Sequence, residues 1–153
     1  MIRAIGLVEF NSIAKGIEGA DAMLKTGQVD IIVSRPICPG KYITLVWGDV
    51  AAVESAVQAG IAKAENYVVD DFILPNVHPS VIPACSGGTP VAEVQSLGII
   101  ETFSVAAMIV AADAAVIVGF VLVHYPFCGH QRLISEQIIF KLRSLQKMEP
   151  AAL

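Results

Sequence analysis

The chain alternates between apolar runs without periodicity and segments in which apolar residues recur every three or four positions. Runs of the first kind are typical of buried strands, and segments of the second kind are typical of helices. Pro36, Pro39 and Gly40 are expected to end one strand, because proline does not fit a central strand. In order, the first half is predicted to form a strand over 2–10, a helix over 13–25, strands over 29–34 and 42–47, a helix beginning at Asp49, a strand over 67–74 and a short helix over 79–84.

The first predicted helix has a recognisable start and one apolar face. Ser12 is expected to be its N-cap, since serine side chains accept hydrogen bonds from the first turn. The apolar positions Ile13, Ile17, Ala20 and Leu24 follow helical spacing. The element order β-α-β-β-α-β predicts an α+β fold of the split βαβ kind, an antiparallel sheet with its helices on one face.

The beginning of the chain recurs near its middle. Residues 4–9 are echoed by 96–101, and the echo continues without a gap at an offset of 92, pairing Ser12 with Ser104 and Asp21 with Asp113. This period is too long for a solenoid repeat. The sequence therefore predicts a duplicated domain, with a strand over 97–101, a helix over 104–116, a strand over 117–125 that is a candidate to pair with 97–101, and an amphipathic helix over 135–147.

The length of the chain leaves room for only part of a second copy. We expect a first domain over 1–84, a linker over 85–95, the start of a second domain over 96–125 and a divergent, helical tail over 126–153. A frameshift, a truncation or true divergence would each produce a tail of this kind. We expect the helix over 135–147 to replace missing strands, which would leave an exposed sheet edge and apolar surface.

Composition points towards assembly. The chain is 55% hydrophobic and only 16% charged, which favours an oligomer or a membrane protein over a small soluble monomer. Residues 105–127 contain Asp113 as their only charge, and a mid-span aspartate would cost roughly 2.5–3.5 kcal/mol on insertion, so we expect no membrane association. The net charge of −4 argues against nucleic acid. The start of the chain lacks the features of a signal peptide, and three widely spaced cysteines favour a reducing cytosol.

Five segments in order carry a resemblance to a known family. They are Gly6-Leu7-Val8-Glu9, Ala20-Asp21-Ala22-Met23-Leu24-Lys25, Ile37-Cys38-Pro39-Gly40-Lys41, Gly48-Asp49-Val50-Ala51-Ala52-Val53 and Leu74-Pro75-Asn76-Val77-His78-Pro79. Together they resemble a bacterial microcompartment shell domain. The tandem beginning and the cysteine in the third segment are similar to the trimer-forming tandem shell proteins of propanediol- and ethanol-type compartments that are associated with an iron–sulfur cluster.

The resemblance implies an assembly. Three chains would form a flat pseudohexagonal tile, a homotrimer that joins other shell proteins and faces a redox enzyme as cargo, in a cytoplasmic microcompartment of propanediol or ethanolamine utilization. Residues 37–41 (Ile37, Cys38, Pro39, Gly40 and Lys41) would form the pore loop at the central axis. Lys25 would be the assembly-edge residue that packs one tile against the next. Its repeat partner is Ile117, which is a departure from the family pattern.

The resemblance also implies a cofactor, a [4Fe-4S] cluster held by one Cys38 from each of three chains. Residues 38, 85 and 128 lack ferredoxin spacing, so one chain alone would not hold a cluster. The alternative reading of Cys38 is a small buried thiol or an unliganded pore cysteine. Residues 126–130 are loosely similar to 36–40, and Cys128 and His130, two residues apart, could bind a metal. We interpret them as a coincidence in the tail, because no second ligand pair accompanies them, and Cys85 as an ordinary thiol.

The remaining candidate residues favour structural roles. His78 stands in a turn between asparagine and proline residues, and Glu9 with its repeat partner Glu101 has no accompanying nucleophile or base. We therefore expect a structural shell protein and not an enzyme, with electron transfer through the pore. The alternative function is a small cytosolic ligand-binding or regulatory trimer on a split βαβ fold.

Overall fold

The computed structural model describes residues 4–86, 97–100, 102–117, 120–125 and 137–142. The predicted elements of the first half are all present, with shifted ends. In chain order the elements are β1 (Ala4–Phe10), α1 (Ile13–Thr26), β2 (Val29–Ile37), β3 (Lys41–Gly48), α2 (Val50–Ala64), β4 (Val68–Pro75), α3 (Val81–Ser86), β5 (Leu97–Ile100), α4 (Val105–Ile117), β6 (Phe120–Tyr125) and β7 (Gln137–Leu142), with a 3-10 turn at Glu65–Tyr67.

The first copy forms a four-stranded antiparallel sheet in the order β2-β3-β1-β4. All seven residues of β1 are buried, because the strand is central and both of its faces are covered. Helices α1 and α2 lie together on one face, and Val8, Met23, Val46 and Val53 share the core between them. The predicted α+β class, with helices on one face of an antiparallel sheet, is therefore confirmed for the first copy.

Helix α1 does not pack by the apolar face that its spacing suggests. Ser12 is the N-cap as predicted, accepting a 3.4 Å hydrogen bond from the Lys15 backbone N–H. The buried residues, however, are Gly16, Gly19, Ala20 and Met23. A Cβ on Gly16 would lie 2.5 Å from the Tyr42 Cβ, so the glycines let the helix approach the sheet closely. Among the predicted apolar positions only Ala20 is buried.

Strand β2 continues past the predicted break at Pro36. The strand reaches Ile37, and Pro36 lies opposite Tyr42 on β3. The expectation failed because β2 is an edge strand of the described sheet. An edge strand tolerates proline, whose missing N–H is not required by a second neighbour.

The second copy also differs from its prediction. Helix α4 runs through Ile117, so the strand expected over 117–125 begins only at Phe120. The prediction of a helix over 135–147 is wrong for the described part of that range, because Gln137–Leu142 forms strand β7. This strand lies between β5 and β6, so the predicted pairing of residues 97–101 with 117–125 is also wrong. Isoleucine and phenylalanine favour a strand when two neighbouring strands can pair with it.

The described strands of the second copy repeat the arrangement of the first. In the first copy β3 lies between β1 and β2, and in the second copy β7 lies between β5 and β6. Gly6 lies opposite Val46, and its repeat partner Gly98 lies opposite Phe140. Strand β7 is therefore the counterpart of β3. Phe140 follows Val46 by 94 positions, two more than the 92 positions that separate α1 from α4. The expected replacement of sheet strands by a helix does not occur in these described residues.

The second copy covers the open face of the first sheet. This face presents Ile5, Leu7, Ile43, Leu45 and Phe72, which join one apolar cluster with residues of α3 and α4. Helix α3 begins at Val81, later than predicted, and extends through Ser86, two residues into the expected linker. The rest of that linker lies outside the described residues, and the domain boundaries remain predictions.

Candidate functional site

The predicted pore loop is a three-residue turn between β2 and β3. Ile37 and Lys41 are paired across the hairpin, and Cys38, Pro39 and Gly40 form the exposed turn between them. Gly40 has a φ of 73°, a backbone conformation that glycine adopts without steric cost. The turn therefore presents the Cys38 thiol at an exposed end of the sheet.

The side chain of Lys41 supports the turn from within the protein. Its Nζ donates a 2.6 Å hydrogen bond to Oε1 of Glu9, a residue with no exposed surface. A buried carboxylate is costly unless it is paired and hydrogen-bonded, and Lys41 meets that need for one oxygen. The backbone of Lys41 thus pairs with Ile37 at the end of the turn, while its ammonium group binds the buried Glu9 carboxylate.

A small polar cluster at the base of the hairpin connects β2 with β3. The Ser34 hydroxyl lies 3.0 Å from the Tyr42 hydroxyl and 3.3 Å from that of Thr44. Thr44 is completely buried, so these hydrogen bonds satisfy a polar group that water does not reach. Hydrogen bonds between adjacent strands fix the position from which the cysteine turn projects.

The start of α4 is bound to the first copy through acidic side chains. The second oxygen of Glu9, Oε2, accepts a 2.7 Å hydrogen bond from the Val105 backbone N–H. Ser104 donates to Asp70 on β4, and its own hydroxyl accepts a 3.0 Å bond from the Ala107 N–H. Carboxylates at a helix N-terminus satisfy N–H groups that have no partner within the helix. Glu9 therefore has the structural role that we expected.

Asp113, near the end of α4, has a role that the sequence pattern did not reveal. It is buried, and its Oδ1 accepts a 2.8 Å hydrogen bond from the His78 backbone N–H. His78 Nδ1 in turn accepts a 3.2 Å bond from the Ser80 N–H, which agrees with a structural role for this histidine. The signal available in the sequence was a single charge inside an apolar segment, which we had used only against a membrane span.

Lys25 lies on the surface at the last turn of α1. Its Nζ is 2.6 Å from Oδ2 of Asp21, and both side chains are more than half exposed. Lys25 is therefore accessible to a neighbouring molecule, and its ion pair with Asp21 costs little to break.

Asp71, beside the Asp70 contact, has an altered acidity. Partial burial, and to a smaller extent the neighbouring charge of Asp70, raise the pKa of the Asp71 carboxyl above its ordinary value.

No described group of three or more histidine, cysteine, aspartate or glutamate residues is arranged to hold a metal ion within one chain. None of the helices in the described residues has the length and apolar character that a membrane span requires.

Comparison of the sequence and the fold with those of known proteins identifies the family of this chain. The BMC domain matches residues 4–77. The shell protein PduA of Citrobacter freundii is 38% identical over 80 residues, which cover 51% of this chain and 86% of PduA. A solved microcompartment protein of Desulfitobacterium hafniense DCB is 54% identical, with a TM-score of 0.76 over 92% of this chain and 77% of its own. The chain belongs to the bacterial microcompartment shell protein family.

A second curated relative matches a longer part of the chain than PduA does. The shell protein PduT of Citrobacter freundii is 52% identical over 116 residues, which is 76% of this chain and 63% of PduT. The chain thus spans less than two thirds of that relative's length. The relatives named here are shell proteins, in agreement with our expectation of a structural protein rather than an enzyme.

The structure separates the predicted site residues from one another. Cys38 is at the β2–β3 turn, Lys25 is at the end of α1, and Cys85 is within α3. Cys128 and Glu101 lie outside the described residues. Cys128 nevertheless falls between β6 and β7 in the sequence, the interval that corresponds to the Cys38 turn. Pro126 stands two residues before Cys128, as Pro36 stands two residues before Cys38, and this likeness was the sequence signal for the correspondence.

Proposed function

We propose that this protein is a structural tile in the shell of a cytoplasmic bacterial microcompartment, built from three identical chains. Its family membership and its shell-protein relatives carry the proposal. The two copies within one chain supply two of the six positions of a pseudohexagon, so three chains complete the ring. The shell-protein relatives favour this function over the ligand-binding trimer that we considered as an alternative.

The edge of such a tile would contact other shell proteins. Its pore would face a redox enzyme held as cargo. Lys25 supports the edge assignment because it is exposed at the end of a helix. Relatives named for the Pdu and Eut series support a propanediol or ethanolamine type of compartment. Electron microscopy of the purified protein tests the tile. We expect flat sheets with a hexagonal repeat, and dispersed particles under all assembly conditions would refute the tile.

The central pore is the second part of the proposal. The turn of residues 37–41 would line it, with Cys38 from each chain facing the threefold axis. The exposure of the turn fits this position, and among the described residues of one chain the thiol at this turn is that of Cys38. Because the described residues of one chain include no clustered ligand set, a cluster would need all three chains.

A [4Fe-4S] cluster fits this donor set, since three thiolates would hold three irons and a non-protein ligand would occupy the fourth position. When bound, such a cluster supplies one-electron transfer. The chain's own residues hold the thiols: Gly40 shapes the turn, and the Lys41–Glu9 pair fixes its base. Three thiolates bind less firmly than four, so oxygen should release the iron easily.

Anaerobic purification followed by iron and sulfide analysis tests the cofactor. We expect four irons and four sulfides per three chains in the wild type, and neither in a Cys38→Ser variant that is still trimeric. Cys85→Ser is the matched control and should keep the iron. A colourless wild type after anaerobic reconstitution would contradict the cofactor and leave metabolite passage as the role of the pore.

A further inference from the structure

Helix α4 and the turn before it expose a row of apolar side chains. Within residues 102–117 the exposed positions are Phe103, Ala107, Val110, Ala114 and Ile117. We call this row the α4 stripe. Its members recur every three or four positions, so they lie along one side of the helix. The solvent-facing side of α4 is therefore apolar along its whole length.

The repeat partner α1 is polar on the corresponding side. At the repeat offset of 92, the stripe corresponds to Asn11, Lys15, Glu18, Ala22 and Lys25. Lys15 forms an ion pair with Glu18 at 3.0 Å. Lys25 forms another with Asp21 at 2.6 Å. A charged side of this kind is typical of a helix face in water, so the two copies present opposite chemistry at equivalent positions.

The α4 stripe is unusually exposed for large apolar side chains. Phe103, Val110 and Ile117 are 92%, 41% and 72% exposed. Asp113, the charged residue of α4, is buried on another side of the helix and gives the stripe no polar character. A helix that is apolar on every side is typically covered on every side. We therefore expect a further surface to cover the stripe.

The stripe itself has the features of a surface that fits it. Its spacing is the one by which two helices pack along their lengths. Alanines alternate with larger residues, which lets the larger side chains of one helix lie against the alanines of another. The stripe contains no charge, so contact between two stripes buries none. The corresponding row of α1 does not suit such a contact, because Lys15, Glu18 and Lys25 would be buried with it.

We infer that the α4 stripe is a self-association surface that packs against the same stripe of a second copy of this chain. The contact is isologous, with its two-fold axis beside Val110, the middle residue of the row. Asp71 lines the groove on one side of the stripe and reaches solvent, so its charge stays in water at the rim. The inference does not rest on the proposed trimer, because the stripe belongs to one chain. The contact is small, so it should form at high protein concentration and dissociate on dilution.

The particle mass as a function of concentration tests this surface. At high concentration the mass of the wild type should be at least twice that of Val110→Glu, and on dilution the two masses should become equal. Glutamate is the residue that α1 carries at this position, so the variant should fold. Ala107→Lys also introduces the residue of α1, and it decides the matter if circular dichroism shows that Val110→Glu is unfolded. Gln58→Glu is the matched control, because it adds the same charge at an exposed position of α2 and should keep the wild-type mass.

A crosslink identifies the covering surface. In a background with serine at positions 38, 85 and 128, a bismaleimide should join two chains of a Val110→Cys variant into a product of twice 16.2 kDa. Glu18→Cys in the same background is the control and should remain a single chain. A folded Val110→Glu variant with the wild-type mass at every concentration would overturn the inference. The absence of the crosslinked product would also overturn it, because another surface would then cover the stripe. The proposed trimer is tested separately by the diluted wild type, which would have the mass of one chain if the trimer were wrong.

Discussion

The Glu9 carboxylate on β1 accepts a 2.7 Å hydrogen bond from the Val105 N–H at the start of α4, 96 residues later in the chain. Glu9 is completely buried, and Lys41 Nζ lies 2.6 Å from its other oxygen. One side chain thus connects the cysteine turn of the first copy to the first helix of the second.

Glu9→Gln should destabilise the protein strongly. The substitution leaves the mostly buried Lys41 ammonium without a counter-charge, and breaking a buried pair costs about 3 kcal/mol. Denaturant unfolding measures the effect. Combining it with Lys41→Met should recover part of the loss, because the unpaired charge is removed. Glu18→Gln, which breaks the exposed pair with Lys15, is the control and should change the free energy of unfolding far less. A cost for Glu9→Gln as small as that of the control would show that the buried pair is unimportant.

Lys25→Ala should abolish sheets or shells while leaving the trimer folded. The side chain is exposed, and its pair with Asp21 contributes little, so the stability should change by under about 0.5 kcal/mol. Electron microscopy of sheets, with light scattering for the trimer, measures both effects. Lys63→Ala, another exposed lysine at a helix end, should leave the sheets unchanged. Normal sheets from the Lys25 variant would remove the edge role of this residue.

Gly16→Ala should destabilise the fold although alanine is the better helix former. The helix would gain about 1 kcal/mol from propensity. The new Cβ, however, would lie 2.5 Å from the Tyr42 Cβ, an atom that cannot move without the β3 backbone. Overpacking of this kind costs about 1–3 kcal/mol, so the net effect should be a lower thermal midpoint. A raised midpoint would mean that α1 can shift away from the sheet.

Asp71→Asn should stabilise the protein at neutral pH more than in acid. Burial raises the pKa of the folded-state carboxyl, so the folded protein binds a proton more readily than the unfolded chain does. The free energy of unfolding therefore falls as the pH rises from the ordinary value of about 3.9 through the raised value. The asparagine side chain of the variant cannot ionise and avoids this loss, which partial exposure limits to under about 1 kcal/mol.

Thermal midpoints across this pH range measure the effect. Glu18→Gln is a control whose effect on the thermal midpoint should have the opposite sign, because the hydrogen bond from Lys15 lowers the pKa of the Glu18 carboxyl. The stabilisation from Glu18 is lost as the pH falls, so Glu18→Gln should matter most at neutral pH and in the destabilising direction. A gain from Asp71→Asn that does not depend on pH would contradict the titration argument.

The sequence predicted the first copy well because local signals and tertiary packing agree there. The spacing of apolar residues, the Ser12 cap and the glycine turn all appear as expected. The helical spacing of large apolar residues does not mark the buried face of α1, because Ile13, Ile17 and Leu24 are exposed. Two glycines mark the buried face instead, and glycine contributes nothing to a hydrophobic pattern.

The second copy was harder to predict because its sequence signals conflict. The segment around Ile138 and Leu142 has helical spacing, yet it forms β7 between two strands that lie distant from it in the chain. Pairing with distant strands overrides a local period. Likewise, the contact of Asp113 with His78 depends on how α4 crosses the first copy, which no local pattern encodes.

Light scattering on the purified protein measures whether three chains assemble into one tile. We expect a mass three times the 16.2 kDa of one chain, stable on dilution. The exposed apolar residues of α1 and the match to shell proteins both favour this value. A homogeneous species with the mass of a single chain would refute the trimer.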